Sequence, residues 1–277
     1  MAIATRTQTR LAVALSALGS FVILVPVALM FVTAFKPDAE IIRFESLLPR
    51  VWTLDNFRDI FGNSQEIPIF RWLANSLFIS MSVTALVLAV DSLAAYALAR
   101  LDLPYGRHVF LVIVATLMVP GQVFLVPVYL MLNALGWLDT PLALIVPPIA
   151  GVFGVFLLRQ FFLTIPRELE EAAAIDGCSR LRVFWEIILP LARPALCTLG
   201  IFVFIGSWND FLGPLVFLDS VDNYTLPVGI ALFQTSYYAE YGITIAASVI
   251  CTLPVLIVFL LFQKHIIKGV MLSGLKE

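Results

Sequence analysis

An all-α integral membrane protein is the fold class this sequence predicts, and three observations carry it. Hydrophobic residues make up 61% of the 277 residues and charged residues only 13%. A soluble domain carries roughly a quarter charged residues and needs them to coat its surface. Apolar runs of spanning length recur along the chain, and a helix needs about twenty apolar residues to cross the hydrocarbon core. These runs are continuous, where a membrane barrel would alternate polar and apolar positions.

The runs place six transmembrane helices at about 11–35, 72–99, 109–133, 140–160, 194–218 and 241–264, in one membrane domain covering 1–277. The first run is uncharged and longer than the roughly 7–15-residue apolar core of a cleaved signal peptide, so it reads as a span. The second and fifth each hold one acid, Asp91 and Asp210. Pro26, Pro120, Pro127, Pro147, Pro148 and Pro254 fall inside the runs and predict kinks. The carbonyls freed there must find neighbouring helices or water. No internal repeat is visible, which weighs against a secondary transporter.

The charge balance of −2, without a basic patch, argues against a nucleic-acid partner. Cys178, Cys197 and Cys251 are dispersed, and His108 and His265 lack metal-ligand spacing, so no metal site is expected.

Basic residues set the orientation. Arg6 and Arg10 precede the first span, Arg100 and Arg107 follow the second, and Arg159, Arg167, Arg180, Arg182 and Arg193 lie between the fourth and fifth. Lys264, Lys268 and Lys276 follow the sixth. The short loops around 136–139 and 219–240 carry no basic residue. Both termini and the 164–193 loop are therefore expected in the cytoplasm.

That loop is the one long polar interruption after the second span. Pro166 suits the first turn of a helix. Glu168, Glu170 and Glu171 follow, where the helix macrodipole favours acids. Ala172, Ala173 and Ala174 are strong helix formers. Gly177 can end the helix in a left-handed conformation, and Ser179 can cap a second one. Pro190 and Pro194 should break the second helix before the fifth span. The product is a short helix-turn-helix with a shallow alanine face and a charged rim. It fits a docking surface for another protein, or an amphipathic helix resting on the bilayer.

Glu171-Ala172-Ala173, Gly177 after three further residues, Ile187 after nine more, then Leu189-Pro190, resemble the EAA loop of importer-type ATP-binding-cassette permeases. EAAAIDG, the Asn209-Asp210 region, AAYALAR at 94–100 and the ending FQKHIIKGVMLSGLKE are similar to the carbohydrate-uptake members. The resemblance implies a coupling helix for a cytoplasmic ATPase, with Glu170, Glu171, Ala172, Ala173, Asp176 and Gly177 as the coupling residues. It implies two ATPase subunits that bind ATP and magnesium, a second, different permease subunit and an extracytoplasmic solute-binding protein. The location implied is the inner or plasma membrane of a prokaryote.

No lysine follows a glycine, so the chain lacks a phosphate-binding loop and carries no cofactor of its own. It reads as a non-catalytic subunit of an ATP-hydrolysing translocase that takes up a mono- or oligosaccharide by alternating access. The alternatives are another solute in the same importer class, such as glycerol 3-phosphate or an amino sugar, an ion-coupled transporter, and a membrane scaffold.

An ionisable residue inside a span is costly and is a functional candidate by default. Trp208, Asn209 and Asp210 offer stacking and hydrogen bonding suited to a sugar, or a packed cluster at an interface. Asp91 departs from the family pattern, which has a small polar residue there. Its readings are an ion pair with a neighbouring helix, a lining residue, or a neutral carboxyl. Asn75, Gln122, Asn133 and Gln234 read first as helix–helix hydrogen bonds.

Overall fold

The apolar runs form helices of two kinds, continuous and broken. The computed structural model describes residues 6–43, 46–62, 67–236 and 241–274. Lys276 lies outside the described residues, as do the side chains of Arg6, Arg10, Gln234, Lys264, His265 and Lys268. Every regular element described is helical, as segments without water to bond their amides must be.

The first span is α1 (Arg6–Thr33), followed by the short α2 (Asp38–Arg43) and α3 (Asp55–Gly62) and the long α4 (Ile69–Arg100). Two helices, α5 (Gly106–Ala115) and α6 (Leu125–Ala134), replace the third run. They are joined by 3-10 turns around Pro120, and the chain bends there by 91°. Pro127 falls in the first turn of α6, where its missing N–H leaves nothing unpaired.

The fourth run gives only α7 (Leu142–Ile145) and α8 (Val152–Phe162), parted by Pro147 and Pro148. Next come α9 (Glu168–Ile175), α10 (Arg180–Val183), a π turn at Phe184–Ile188 and α11 (Leu189–Leu191). The fifth run is α12 (Arg193–Trp208) and α13 (Leu212–Phe217), broken at Asn209 and Asp210. The chain ends in α14 (Leu226–Ser236) and α15 (Tyr241–Gly274).

In the third, fourth and fifth runs the interruptions are breaks between separate helices. Three helices are long and apolar enough to cross a bilayer: Ala12–Thr33, Ile69–Arg100 and Tyr241–Phe262, with mean hydropathies of 2.4, 2.0 and 2.8. Counting each strongly bent pair as one span gives up to five. One of those pairs joins the 180–191 segment to α12 at 78°. Neither half of the fourth run is long enough to cross alone, because adjacent prolines remove two amide donors at its centre. Pro26 and Pro254 lie within unbroken helices. Pro190 also stays helical, just after the π turn, and the break comes at Ala192.

The chain divides into two units, one of 1–69 with 230–253 and the other of 70–229 with 254–277. In the first, α1 leaves Leu18, Phe21 and Ile23 exposed, a surface that needs lipid or protein over it. The polar loop after it folds around Asn56. The Asn56 amide donates to the carbonyls of Ala34 at 2.8 Å and Lys36 at 2.9 Å. Buried Lys36 donates to the Ser46 carbonyl at 2.6 Å. Asp38 accepts the Gly242 amide at 2.6 Å, capping the start of α15. A Cβ on Gly242 would come within 2.3 Å of the Asn56 amide oxygen, so only glycine allows that approach.

The second unit has two apolar clusters. One gathers Ile79, Val83 and Val87 with Leu132, Leu144 and Phe217. The other gathers Ala95 and Ala99 with Leu158, Phe162, Phe184 and Leu199. Residues 79, 83, 87, 91, 95 and 99 form one i, i+4 ridge on α4. Asp91 is its only polar member and stands between the two clusters.

The loops near the start of α4 are pinned by hydrogen bonds. Trp72 donates to the Val221 carbonyl at 2.7 Å, and Ser76 accepts the Leu226 amide at 2.8 Å. Asn75 donates to the Asp222 and Tyr224 carbonyls at 2.8 and 3.0 Å, so its partners are loop carbonyls rather than another helix. Asp139, at φ 56°, donates its amide to Phe217 at 2.8 Å and accepts from the amides of Asp219 at 3.0 Å and Ser220 at 2.9 Å and from the Ser220 hydroxyl. Burial opposes ionisation of its carboxyl, but the hydrogen bonds from Ser220, Asp219 and Asn223 prevail and hold its pKa at about 2.

Candidate functional site

Two features of the second unit stand out chemically: the 168–191 segment and a polar cavity beside Asp91. In the segment, Glu168, Glu170 and Glu171 occupy the first turn of α9, with Arg167 rather than Pro166 at its cap. The helix ends in a Schellman turn. The Cys178 amide bonds the Ala173 carbonyl at 2.9 Å and the Gly177 amide bonds the Ala174 carbonyl at 3.1 Å. Gly177 sits at φ +80° with nothing within 4 Å of a built Cβ, so glycine is demanded by backbone conformation and not by space. Ser179 then caps α10 by accepting the Arg182 amide at 3.3 Å.

The segment has an inner and an outer face. Ala173 is buried, and Glu170 is half-buried against Arg100, with Nε and Oε1 3.1 Å apart and no hydrogen-bond geometry between them. Glu171, Ala172, Asp176 and Gly177 are exposed. Ile175, Leu181 and Trp185 are also exposed, Ile175 to 86%.

Arg100, which the sequence marks only as an orientation-setting base and the end of AAYALAR, anchors the segment. Its guanidinium donates to the carbonyls of Phe162 and Ile165 just before α9. Tyr96, one turn earlier, donates to the Arg180 carbonyl at 3.3 Å and packs on Phe184 at 5.0 Å between ring centres. Arg159 donates to the Leu98 carbonyl at 3.2 Å and covers the Phe110 ring at 4.0 Å. The AAYALAR segment is thus a socket for the 168–191 segment.

The cavity encloses about 320 Å³ between α4, α12 and the N-terminus of α8. Asp91 and Asp210 both line it, with Ser207 and Thr225, which sequence reasoning missed. Asp91 pairs with no basic side chain among the described residues. Its Oδ1 instead accepts the Gly151 amide, the cap of α8, at 3.0 Å. Room for it exists because Gly151 and Gly154 lack side chains: a Cβ on Gly154 would lie 2.0 Å from Oδ2. The G-x-x-G spacing was readable in the sequence, but nothing local tied it to Asp91, 60 residues away. Asp210 accepts the Gly213 amide at 3.3 Å, capping α13. Trp208 is buried against Phe204, Asn209 is exposed, and neither lines the cavity.

Comparison with known proteins shows the family and the fold. Residues 92–271 match the family model described as binding-protein-dependent transport system inner membrane component. An arabinooligosaccharides transport system permease protein of Halalkalibacterium halodurans is 36% identical over 93% of this chain and 92% of its own length. The Escherichia coli inner membrane ABC transporter permease protein YcjP is 37% identical over 94% of each chain. A diacetylchitobiose uptake system permease protein of Streptomyces coelicolor is 34% identical over 91% of this chain and 84% of its own. The fold is shared with a chain from the crystal structure of a bacterial ABC transporter involved in import of the acidic polysaccharide alginate, at a TM-score of 0.81 and 22% identity, covering 95% of this chain and 99% of that one. The chain belongs to the family of binding-protein-dependent transport system inner membrane components, the permease subunits of ATP-binding-cassette importers.

Proposed function

We propose that this chain is one of two different permease subunits of a sugar importer, moving a mono- or oligosaccharide into the cytoplasm by alternating access. Two cytoplasmic ATPase subunits bind ATP and magnesium, and an extracytoplasmic binding protein delivers the sugar. The broken fourth run counts as a sixth span, and both termini lie in the cytoplasm of a prokaryotic cell.

One observation carries the coupling role. The 168–178 turn is locked to the bundle through Arg100, Glu170 and Ala173 while Glu171, Ile175 and Asp176 face outward. A segment rigidly held on one side and presenting acids and an apolar side chain on the other can transmit a push from a docked protein. Relatives with sugar-transport names support the substrate class.

The test is to replace Glu171 with Ala, or Gly177 with Ala, and measure uptake and ATP hydrolysis by the assembled transporter in proteoliposomes. Either variant should insert and assemble, and hydrolysis should no longer be matched by sugar uptake. The Gly177→Ala change also costs about 1 kcal/mol, because a Cβ disfavours the left-handed conformation. Normal uptake by both variants, with the ATPase subunits still bound, would sink the coupling role.

A further inference from the structure

Asp91 ties the cavity-side end of α8 to α4. Its Oδ1 accepts the Gly151 amide at 3.0 Å, and its second oxygen packs over Gly154, where a built Cβ would come within 2.0 Å. The residue is fully buried in that glycine seat. Among the described residues, no other hydrogen bond or ion pair joins the first two turns of α8 to α4. The next polar tie comes eight residues on, roughly 12 Å at 1.5 Å per residue. There Arg159 donates to the Leu98 carbonyl at 3.2 Å. Arg100 follows, holding the carbonyls of Phe162 and Ile165.

The chain before α8 cannot supply the missing stiffness. Helix α7 ends at Ile145, and 146–151 forms no regular element, with Pro147 and Pro148 inside it. Prolines offer no amide to a helical ladder, so no helix crosses this stretch. Gly151 itself is extended, at φ −86° and ψ 113°. One end of α8 is therefore held firmly beside the 168–191 segment, and the other is a loose joint that the Asp91 contact closes. Val87 and Asp91 from α4 border the cavity together with Gly151 and Gly154. The contact thus sets how the α4 wall of the cavity meets the α8 wall.

We propose that Asp91 is a positioning residue for coupling. By holding the Gly151 amide it makes α4 and α8 move as one piece when the 168–191 segment is pushed, so both cavity walls shift together. Without the contact the 146–151 joint absorbs the motion before it reaches the cavity. The role needs a hydrogen-bond acceptor of the right length rather than a charge, and an asparagine amide oxygen meets that need where alanine does not. The assignment rests on the coupling reading of the 168–191 segment and names the contact at the far end of its path.

The test is hydrogen–deuterium exchange of the complete transporter in nanodiscs, without nucleotide and trapped with ATP and orthovanadate. In wild type, trapping should change exchange at 171–178 and at 151–156, each by at least about threefold. Asp91→Ala should raise exchange at 151–156 without nucleotide by about three- to tenfold, the loss of one hydrogen bond. It should keep the response to trapping at 171–178 and cut that at 151–156 to below about 1.5-fold. A cap with a structural role alone would raise exchange at 151–156 equally in both states. Asp91→Asn should restore the response to within about twofold of wild type. If Asp91→Ala fails to assemble, Gly151→Ala decides, because its Cβ lies 2.9 Å from the same carboxyl group and disturbs the contact from the α8 side.

A response at 171–178 that never reaches 151–156 in wild type, or that reaches it equally in Asp91→Ala or its Gly151→Ala substitute, overturns the positioning role alone. Asp91→Asn behaving like Asp91→Ala overturns it as well. A wild-type complex in which 171–178 ignores ATP and vanadate overturns the coupling reading, and this role falls with it.

Discussion

Replacing Arg100 with Met should release the 168–178 turn from the bundle while the bundle itself stays folded. Arg100 has a side chain 2% exposed and donates to two carbonyls, those of Phe162 and Ile165. A hydrogen bond from a charged donor contributes about 1.5 kcal/mol at the low end of its range. The pair with Glu170, 19% exposed and without hydrogen-bond geometry, adds only about 0.5 kcal/mol. Methionine keeps most of the apolar stem packed. The net loss is about 3 kcal/mol in the local opening equilibrium, a factor of about 100. Hydrogen–deuterium exchange of the full chain in nanodiscs reads this directly. Amides of 171–178 should exchange about 100-fold faster in Arg100→Met, with those of 79–91 in α4 unchanged. Glu170→Gln removes only the ion pair and should change the same amides by less than about threefold. Exchange at 171–178 within threefold of wild type in Arg100→Met, or an effect of Glu170→Gln as large as that of Arg100→Met, would refute the anchoring account.

Two further outcomes follow from close contacts. Gly154→Ala drives a Cβ to 2.0 Å from the Asp91 carboxyl and 3.0 Å from Leu199, so thermal unfolding in detergent should show a loss of about 1–3 kcal/mol. Adding Asp91→Ala should recover about 1 kcal/mol of that loss, and strictly additive losses would contradict the contact. Asp139 tests the loop clamp through pH. Its folded pKa lies below the ordinary 3.8, at about 2, so between these values the native state binds fewer protons than the unfolded one and stability rises with pH. Asp139→Asn should therefore melt below wild type at neutral pH. The gap should hold down to about pH 4 and close as the pH falls toward 2. A gap that is constant or that widens in acid would show that the carboxylate is not the clamp.

Local chemistry was legible in the sequence, and long-range pairing was not. Gly177 and Ser179 were readable because a left-handed turn and a helix cap are set by neighbours in the chain, and both are found. The apolar runs were readable as helices, but the cost of adjacent prolines at 147 and 148 was underestimated: the expected kink became a break of several residues. Asp91 was expected first to meet a basic partner on another helix. It meets a backbone amide instead, because a broken helix exposes an uncapped N-terminus whose N–H donates to the carboxyl group in place of a basic side chain. Trp208 was grouped with Asp210 on adjacency alone. The helix ends at Trp208, so the indole stays in the core while Asp210 turns into the cavity. Thr225 had no sequence signature, since a lone threonine before a helix reads as an ordinary loop residue.

The cap that Asp91 provides has a counterpart at the other end of the same helix. Asp91 accepts from the amide at the N-terminal end of α8, and Arg100 donates to carbonyls at its C-terminal end, at Phe162 and just beyond at Ile165. Both come from α4, nine residues or about 13 Å apart along its axis. The acid faces the positive pole of the α8 macrodipole and the base faces the negative pole, so each contact is favourable by itself and the two together fix α8 in register beside α4. The cavity wall and the socket of the 168–191 segment are therefore the two ends of one helix of 11 residues. A displacement of the segment that carries α8 along its axis strains the Gly151–Asp91 hydrogen bond. That contact sits in the cavity wall, on the same carboxyl group whose second oxygen is buried without a hydrogen-bond partner among the described residues. A short rod held at both ends by side chains of α4 links the two sites, and α4 borders both beside it.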